Sequence, residues 1–198
     1  MKSKKNISPL PFKYYFFPCG LLVIVGLFSS IYLSVSHYRV YTDIGYSSFC
    51  ALSKAINCDT VSQSPYSIFL GIPVPIWGVL GYAIFLAGIT LAGLPPFRPT
   101  RLWRLLFMVA ALYSATSFLL AAISSFLIHS YCIMCIVTYG VNFGLLFYTW
   151  LIPRRFDAHS FISGFKKDLR ALKGRKRLLW GWAGIFALAM ALSWGLIP

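Results

Sequence analysis

Long apolar stretches are the feature that most limits how this chain can fold. Five of them have roughly the 20 residues that a helix needs to cross a hydrocarbon core of about 30 Å. None has an Asp, Glu or Lys in its middle, and the 198 residues include only four acidic side chains. We therefore predict an all-α integral membrane protein with five transmembrane helices, at residues 14–36, 72–93, 102–128, 133–152 and 178–197.

Positive charge is concentrated before and between these stretches. The net charge of +14 comes from 18 Lys and Arg residues, and in a soluble protein it would suggest nucleic-acid binding. Cytoplasmic loops of membrane proteins carry an excess of Lys and Arg, so we interpret the clusters as orientation signals. With the N-terminus in the cytoplasm, sixteen of the eighteen lie on the cytoplasmic side, and only Arg39 and Lys54 lie outside.

This orientation divides the chain into four regions. Residues 1–13 are a cytoplasmic N-terminus, and the span after them is expected to be a retained signal anchor, since its apolar run is long and lacks a small-residue cleavage site. Residues 14–152 form a helical bundle that includes an outward segment at residues 37–71. Residues 153–177 are a basic cytoplasmic loop, and residues 178–198 are the fifth transmembrane helix.

Four of the five cysteines fall on the outer side of the membrane in this topology. Cys50 and Cys58 lie in the outward segment, and Cys132 and Cys135 follow the short connection before the fourth span. Disulfides persist in an oxidising compartment of this kind. Cys19 lies apart, near the inner end of the first span, and is interpreted as a small buried apolar residue.

The four outer cysteines allow three kinds of site. A structural zinc site usually uses two short Cys-x(2–4)-Cys pairs, whereas seven residues separate Cys50 from Cys58, so we expect no metal site. Two static disulfides are the second alternative, but they do not explain why one pair lies against the acyl-chain region. Two pairs that exchange electrons explain this placement better.

The segment between the first two cysteines cannot be one helix if they form a disulfide. Eight residues of helix rise about 12 Å, whereas disulfide-linked Cα atoms lie about 4.4–6.8 Å apart. We therefore predict that the chain between Cys50 and Cys58 folds back or breaks near Asn57. A segment that must bend to close its disulfide suits a redox shuttle better than a fixed structural link.

The second cysteine pair begins a polar stripe on the fourth span. At about 100° per residue, Cys132, Cys135, Tyr139 and Asn142 share one helix face. Polar side chains inside a span usually face protein or a cavity, so the stripe is expected to face into the bundle. The start of a helix favours a thiolate, whereas apolar surroundings oppose it, and the sequence does not decide between them.

A membrane quinone is the oxidant that dissolves beside a dithiol in this position. The chain has neither a Gly-rich dinucleotide fingerprint nor a Cys-x-x-Cys-His haem attachment motif. Tyr139 and Asn142 are candidates to form hydrogen bonds with the quinone carbonyl oxygens. Their alternative roles are an interfacial tyrosine and a helix-packing asparagine. Trp77 is a candidate to pack against the quinone, or else an interfacial anchor.

Together these motifs resemble the vitamin K epoxide reductase family, in its bacterial disulfide-forming branch. The matching elements cover roughly residues 14–152 and are Cys50 with Cys58, the segment NCDTVSQS with Ser64, the GIPVPIWG start of the second span, and CIMCIVTYGVN. The resemblance implies a four-helix bundle around a quinone, ubiquinone or menaquinone, with the fifth helix at its side. It also implies that Ser64 lies near the reacting sulfurs and belongs with Tyr139, Asn142 and Trp77 to the residues that bind the quinone.

The resemblance further implies a role for each outer cysteine. Cys135 is the thiol nearest the quinone, Cys132 exchanges with Cys50, and Cys58 contacts an external thiol protein. Many bacterial members continue after the fifth span into a thioredoxin-like domain, whereas this sequence ends at Pro198. A separate thioredoxin-fold partner of the DsbA type is therefore expected.

The expected function is that of a thiol oxidoreductase of the bacterial inner membrane. It reoxidises a periplasmic or other extracytoplasmic DsbA-type partner and passes the electrons through both cysteine pairs to quinone. This reaction supports disulfide-bond formation. Dithiol-driven reduction of vitamin K epoxide or quinone is the alternative within the same class. A non-catalytic membrane maturation subunit with structural disulfides is the alternative from another class.

Overall fold

The computed structural model describes residues 12–93 and 102–156 together with Gly184. Four described helices are long and apolar enough to span a membrane: α1 (Lys13–Thr42), α3 (Val74–Gly93), α4 (Trp103–Ile123) and α5 (Ile133–Phe156). They confirm the prediction of an all-α multi-pass membrane protein. The cytoplasmic N-terminus, most of the basic loop and, apart from Gly184, the predicted fifth helix lie outside the described residues.

The long helices pack side by side in the order α3, α1, α5, α4. α1 contacts both α3 and α5, α5 contacts α4, and the contact between α3 and α4 is small. The apolar core fills the bundle at the end opposite to the four outer cysteines. Its fully buried side chains include Val23, Phe85, Trp103, Leu145 and Ile152.

α1 and α3 approach each other closely at Gly26. A Cβ atom at this position would overlap the ring of Tyr82, which is only 2 % exposed. Small residues allow helix backbones to approach in membrane proteins. The absence of a side chain at Gly26 therefore lets a tyrosine on the neighbouring helix lie in the middle of the bundle.

The first helix is longer than predicted, since α1 ends at Thr42 rather than at Ser36. The added residues are polar and aromatic, and they make tertiary contacts that apolarity alone does not reveal. His37 Nδ1 lies 2.7 Å from Ser62 Oγ, and the Tyr41 hydroxyl donates to the Ser62 carbonyl at 3.4 Å. The end of α1 therefore supports the connection that follows it.

The connection between α1 and α3 contains a 3₁₀ turn at Pro65–Ser67 and three other short elements. They are α2 (Cys58–Ser62), β1 (Ile68–Phe69) and β2 (Ile72–Pro73), and the two strands pair antiparallel. Both residues of the hairpin turn have positive φ, at 55° for Leu70 and 76° for Gly71. Positive φ at both positions is typical of the type I′ turn in a two-residue hairpin loop. This small hairpin is an addition to the predicted all-α architecture.

α4 ends in a way that places the second cysteine pair. Residues Ser124–Ile128 continue the helix as a wider π turn, and His129 then takes the left-handed conformation with φ of 54°. π turns occur mostly as single turns and often at functional sites. The chain reverses within a few residues, so Cys132 stands immediately before the first residue of α5.

Substitution of Gly26 by Ala is expected to destabilise the bundle. The new methyl group meets the ring of Tyr82, and overpacking of a core typically costs about 1–3 kcal/mol. Gly20→Ala is the matched control on the same helix, because a Cβ atom there meets no other atom within 4 Å. Thermal unfolding in detergent checks this, and equal midpoints for the two variants would contradict the close packing of α1 on Tyr82.

Candidate functional site

Cys50 and Cys58, here called the loop pair, form a disulfide. Their Cα atoms lie 5.7 Å apart, and the chain between them is not helical. Asn57 begins α2, with its Oδ1 accepting the backbone N–H groups of Asp59 at 2.9 Å and Thr60 at 3.1 Å. An asparagine in this position caps a helix and stops it from extending backwards. The predicted break at Asn57 is therefore observed.

The sulfur of Cys132 lies beside this disulfide. The Sγ atoms of Cys50, Cys58 and Cys132 all lie within 4.8 Å of one another, and the three residues are 0 %, 3 % and 3 % exposed. Apolar side chains, including Leu33 and Val61, pack around them. Because two of the sulfurs are bonded to each other, the cluster consists of one thiol placed against a disulfide. This is the arrangement that thiol–disulfide exchange requires.

Backbone pairing holds the loop pair at the start of α5. Ile56 and Tyr131 form a parallel β-bridge, in which the Asn57 N–H donates to the Tyr131 carbonyl at 3.0 Å and the Tyr131 N–H donates to the Ala55 carbonyl at 2.8 Å. These residues lie next to Cys58 and Cys132 in the chain. The pairing therefore brings together two cysteine pairs that are far apart in sequence.

A second contact holds the chain before Cys50. The Ser48 N–H donates to Oδ2 of Asp59 at 3.0 Å, and the Ser48 Oγ lies 3.4 Å from the Cys50 Sγ. Asp59 directly follows Cys58. This hydrogen bond consequently links the chain just before Cys50 to the chain just after Cys58, as the disulfide itself does.

Cys132 and Cys135, here called the helix pair, are free thiols. The Cys135 N–H donates to the Cys132 Sγ at 3.3 Å. The pKa of Cys132 is lowered, first by a hydrogen bond from the Cys135 side chain and then by the backbone N–H groups of Cys135 and Met134, against the opposing effects of burial and of Asp59. The hydrogen bonds at the start of α5 thus favour the Cys132 thiolate.

One cavity of about 150 Å³ connects the sulfur cluster with the interior of the bundle. Cys58, Cys132 and Cys135 line it, whereas Cys50 is not among its lining residues. All four residues that the sequence suggested for quinone binding also line it: Ser64, Trp77, Tyr139 and Asn142. Cys19 belongs instead to the apolar core, in agreement with its interpretation as a buried apolar residue.

The residues suggested for quinone binding differ in how they are held. The Ser64 Oγ donates to the Val61 carbonyl at 2.8 Å, and the Trp77 indole N–H donates to the Phe69 carbonyl at 3.2 Å. The first bond lies within the connection that carries the loop pair, and the second joins α3 to that connection. Tyr139 lies on the same face of α5 as Cys135, as the stripe predicted.

The Asn142 side chain is oriented by two residues that the sequence analysis missed. Its Oδ1 accepts the Tyr82 hydroxyl at 2.8 Å, and its Nδ2 donates to the Ser117 Oγ at 2.8 Å. Asn142 is therefore buried in a network that joins α3, α4 and α5. Tyr82 and Ser117 are polar residues within apolar spans, and this is the sequence feature that could have pointed to them. Nothing in their spacing relates them to the polar stripe of α5.

The residues around the cavity fit the ring of a quinone. An apolar cavity of about 150 Å³ in another protein admits benzene, so the volume is adequate for a six-membered ring. Most ligand sites combine apolar walls with a few polar groups that fix orientation. Here Tyr139 and Asn142 offer such groups on the same cavity wall as the Cys135 thiol.

Comparison with known proteins identifies one family. The model of the family described as "Vitamin K epoxide reductase family" matches residues 17–150. The match extends from α1 to α5 and includes both cysteine pairs and the cavity between the helices. No curated protein matches the chain.

Removal of the Cys135 thiol is expected to raise the pKa of Cys132, because its largest stabilising hydrogen bond is lost. The test uses chains in which Cys19, Cys50 and Cys58 are Ala, so that only the helix pair remains. The rate of Cys132 alkylation by a small reagent is measured against pH by mass spectrometry. The midpoint should lie at higher pH in the Cys135→Ala chain. An unchanged midpoint would show that Cys135 does not stabilise the thiolate.

Proposed function

The chain belongs to the vitamin K epoxide reductase family, and we propose that it oxidises a thioredoxin-fold, DsbA-type protein at the outer face of the bacterial inner membrane and delivers the electrons to a membrane quinone. The family establishes a membrane thiol–disulfide oxidoreductase that uses a quinone or vitamin K. The observation that carries the proposal is the free Cys132 thiol, which lies against a closed disulfide and lines the same cavity as Tyr139 and Asn142.

The first exchange passes electrons from the partner to the loop pair. A thiolate of the reduced partner attacks one sulfur of the Cys50–Cys58 disulfide, which breaks as a mixed disulfide forms. The second partner thiol loses its proton and displaces the loop cysteine. The partner leaves with a new disulfide, and both loop cysteines become thiols. Because Cys50 and Cys58 are 0 % and 3 % exposed, the loop must open for this attack.

The second exchange passes the electron pair to the helix pair. One loop thiolate attacks Cys132 in the Cys132–Cys135 disulfide and releases Cys135 as a thiolate. The other loop cysteine then displaces Cys132 and closes the loop disulfide. A closed loop pair beside a reduced helix pair, as in this structure, is the expected product of this step.

The position of Cys58 favours one order of the loop cysteines. Cys58 lines the cavity together with both residues of the helix pair, whereas Cys50 does not. We therefore assign the exchange with Cys132 to Cys58 and the contact with the external protein to Cys50. This is the reverse of the order that the family resemblance implied.

The quinone side of the site is assigned to residues of the cavity. When bound, ubiquinone or menaquinone supplies an acceptor for two electrons and two protons. Cys135 is the thiol assigned to react there, and Tyr139 and Asn142 are assigned to hold the carbonyl oxygens. Ser64 and Trp77 contribute to the wall and exclude water, which strengthens every hydrogen bond within the cavity.

Loss of the Cys135 thiol is expected to reduce quinone reduction to the uncatalysed rate, because Cys132 alone cannot form the helix-pair disulfide that releases two electrons. Purified chain is supplied with dithiothreitol and decyl-ubiquinone, and quinone absorbance is followed. Cys19→Ala is the matched control, since Cys19 belongs to the core, and it should retain most of the activity. Undiminished turnover in Cys135→Ala would leave a non-catalytic subunit with structural disulfides as the better account.

Single substitutions of the loop pair should give two different trapped species. Cys58→Ser is expected to hold the partner in a mixed disulfide with Cys50. Cys50→Ser is expected to hold an internal Cys58–Cys132 disulfide, because Cys58 is the loop cysteine that we assign to the exchange with Cys132 and the two sulfurs are in reach. Non-reducing electrophoresis and mass spectrometry identify both. A partner adduct in Cys50→Ser together with an internal disulfide in Cys58→Ser would restore the order implied by the resemblance. Failure to capture any thioredoxin-fold protein would argue against the proposed partner.

A further inference from the structure

The sulfur cluster must move protons as well as electrons if the proposed relay operates, and the following inference rests on that proposal. Each exchange begins when the attacking thiol loses its proton and becomes a thiolate. Cys50, Cys58 and Cys132 are all buried. A charge that appears in a buried site without compensation is costly. A nearby group that accepts the proton would allow the exchange without separating charge.

Asp59 has an oxygen atom that its structural contacts leave unused. Oδ2 accepts the Ser48 N–H at 3.0 Å, but Oδ1 is buried and has no hydrogen-bond partner. No cationic side chain lies within ion-pair distance of Asp59 among the described residues. A buried acceptor without a partner is costly, because it has lost its hydrogen bonds to water. The hydrogen bond with Ser48 therefore accounts for Oδ2 of the carboxylate but not for Oδ1.

Asp59 is also linked to the residues that carry the three sulfurs. It directly follows Cys58, and it holds Ser48, whose Oγ is 3.4 Å from the Cys50 Sγ. Its charge also acts on Cys132, since it raises the pKa of that thiol against the stronger lowering effect of the Cys135 hydrogen bond. The carboxylate therefore holds the chain before Cys50 through Ser48 and acts electrostatically on Cys132 of the helix pair.

We propose that Asp59 is the proton acceptor of the exchange between the loop pair and the helix pair. Its Oδ1 takes the proton of one loop thiol, and the resulting thiolate attacks Cys132 and breaks the Cys132–Cys135 bond. The carboxylic acid then returns the proton to the released helix-pair thiolate. The second loop thiol repeats the transfer as the loop disulfide closes. Two electrons and two protons thus pass from the loop pair to the helix pair, and Asp59 ends as a carboxylate.

The other titratable groups around α2 have hydrogen-bond partners of their own. His37 from α1 is engaged with the Ser62 Oγ, Tyr41 donates to the Ser62 carbonyl, and Tyr46 donates to the Ser36 Oγ while its ring lies under Arg39. Asp43, the other carboxylate of this connection, accepts the Gly45 N–H in an exposed position. Among the described groups near the sulfurs, Asp59 alone combines a carboxylate with an unpartnered buried oxygen.

Asp59→Asn separates the two functions of this residue. The amide oxygen of Asn can still accept the Ser48 N–H, but the side chain cannot take up a proton. General acid–base groups contribute about 100-fold or more to rates. We therefore expect exchange to slow about 100-fold at pH 7 and to recover toward the wild-type rate near pH 9, as thiolates form without help. Asp59→Glu should restore most of the rate, and His37→Gln should leave the shape of the pH profile unchanged.

The exchange is measured directly and without quinone. Chain with both disulfides closed receives one equivalent of dithiothreitol, is quenched in acid at successive times, and is alkylated, and mass spectrometry follows which pair is reduced. The wild-type rate should depend less on pH than the Asp59→Asn rate. Equal rates at all pH values, or a loss in Asp59→Asn that is the same at every pH, would overturn the assignment.

This design also separates the proton acceptor from the proposed function. Exchange that depends on Asp59 in a chain that reduces no quinone would refute the quinone relay alone. Quinone reduction that proceeds in the wild-type chain, with exchange unaffected by Asp59→Asn, would refute the role of Asp59 alone. Formation of the Cys50–Cys58 disulfide in Asp59→Asn, seen in the same spectra, establishes that the variant has folded.

Discussion

The backbone pairing of residues 55–57 with Tyr131 is the interaction on which the whole site depends. The helices alone place the two cysteine pairs on different parts of the chain. Two short N–H to carbonyl hydrogen bonds fix the register between them, and a slip of one residue would turn the neighbouring side chains to the opposite face. Contact between the loop disulfide and Cys132 therefore follows from a bridge only a few residues long.

The sequence predicted the four described membrane spans and the Cys50–Cys58 pairing well because both depend on local patterns. Apolar length decides a span, and helical spacing puts Tyr139 and Asn142 on the same face as the helix pair. The apolar pattern predicts an earlier end for α1 than the structure shows, because the last residues of the helix are polar and are held by contacts with Ser62. Such contacts involve residues far apart in the chain, and no local pattern contains them.

The same limit applies to the chemistry of the site. Sequence identifies Cys50 and Cys58 as a pair, but only three-dimensional structure shows that Cys58 lines the cavity and Cys50 does not. The sign of the pKa shift at Cys132 also required geometry, because a helix start and apolar surroundings act in opposite directions. Tyr82 and Ser117 were missed for a related reason, since their importance comes from meeting Asn142.

The Asn142 amide is fixed by hydrogen bonds with two neighbouring helices, whereas the proposed relay requires the segment that carries the buried loop disulfide to open. The site is thus stiff at one end and movable at the other. A stiff end keeps its dipoles aligned before a ligand arrives, so little reorganisation energy is spent there during the reaction. The slow motion of each catalytic cycle would then belong to the cysteine loop, and turnover would be limited by how fast a protein partner can be admitted and released.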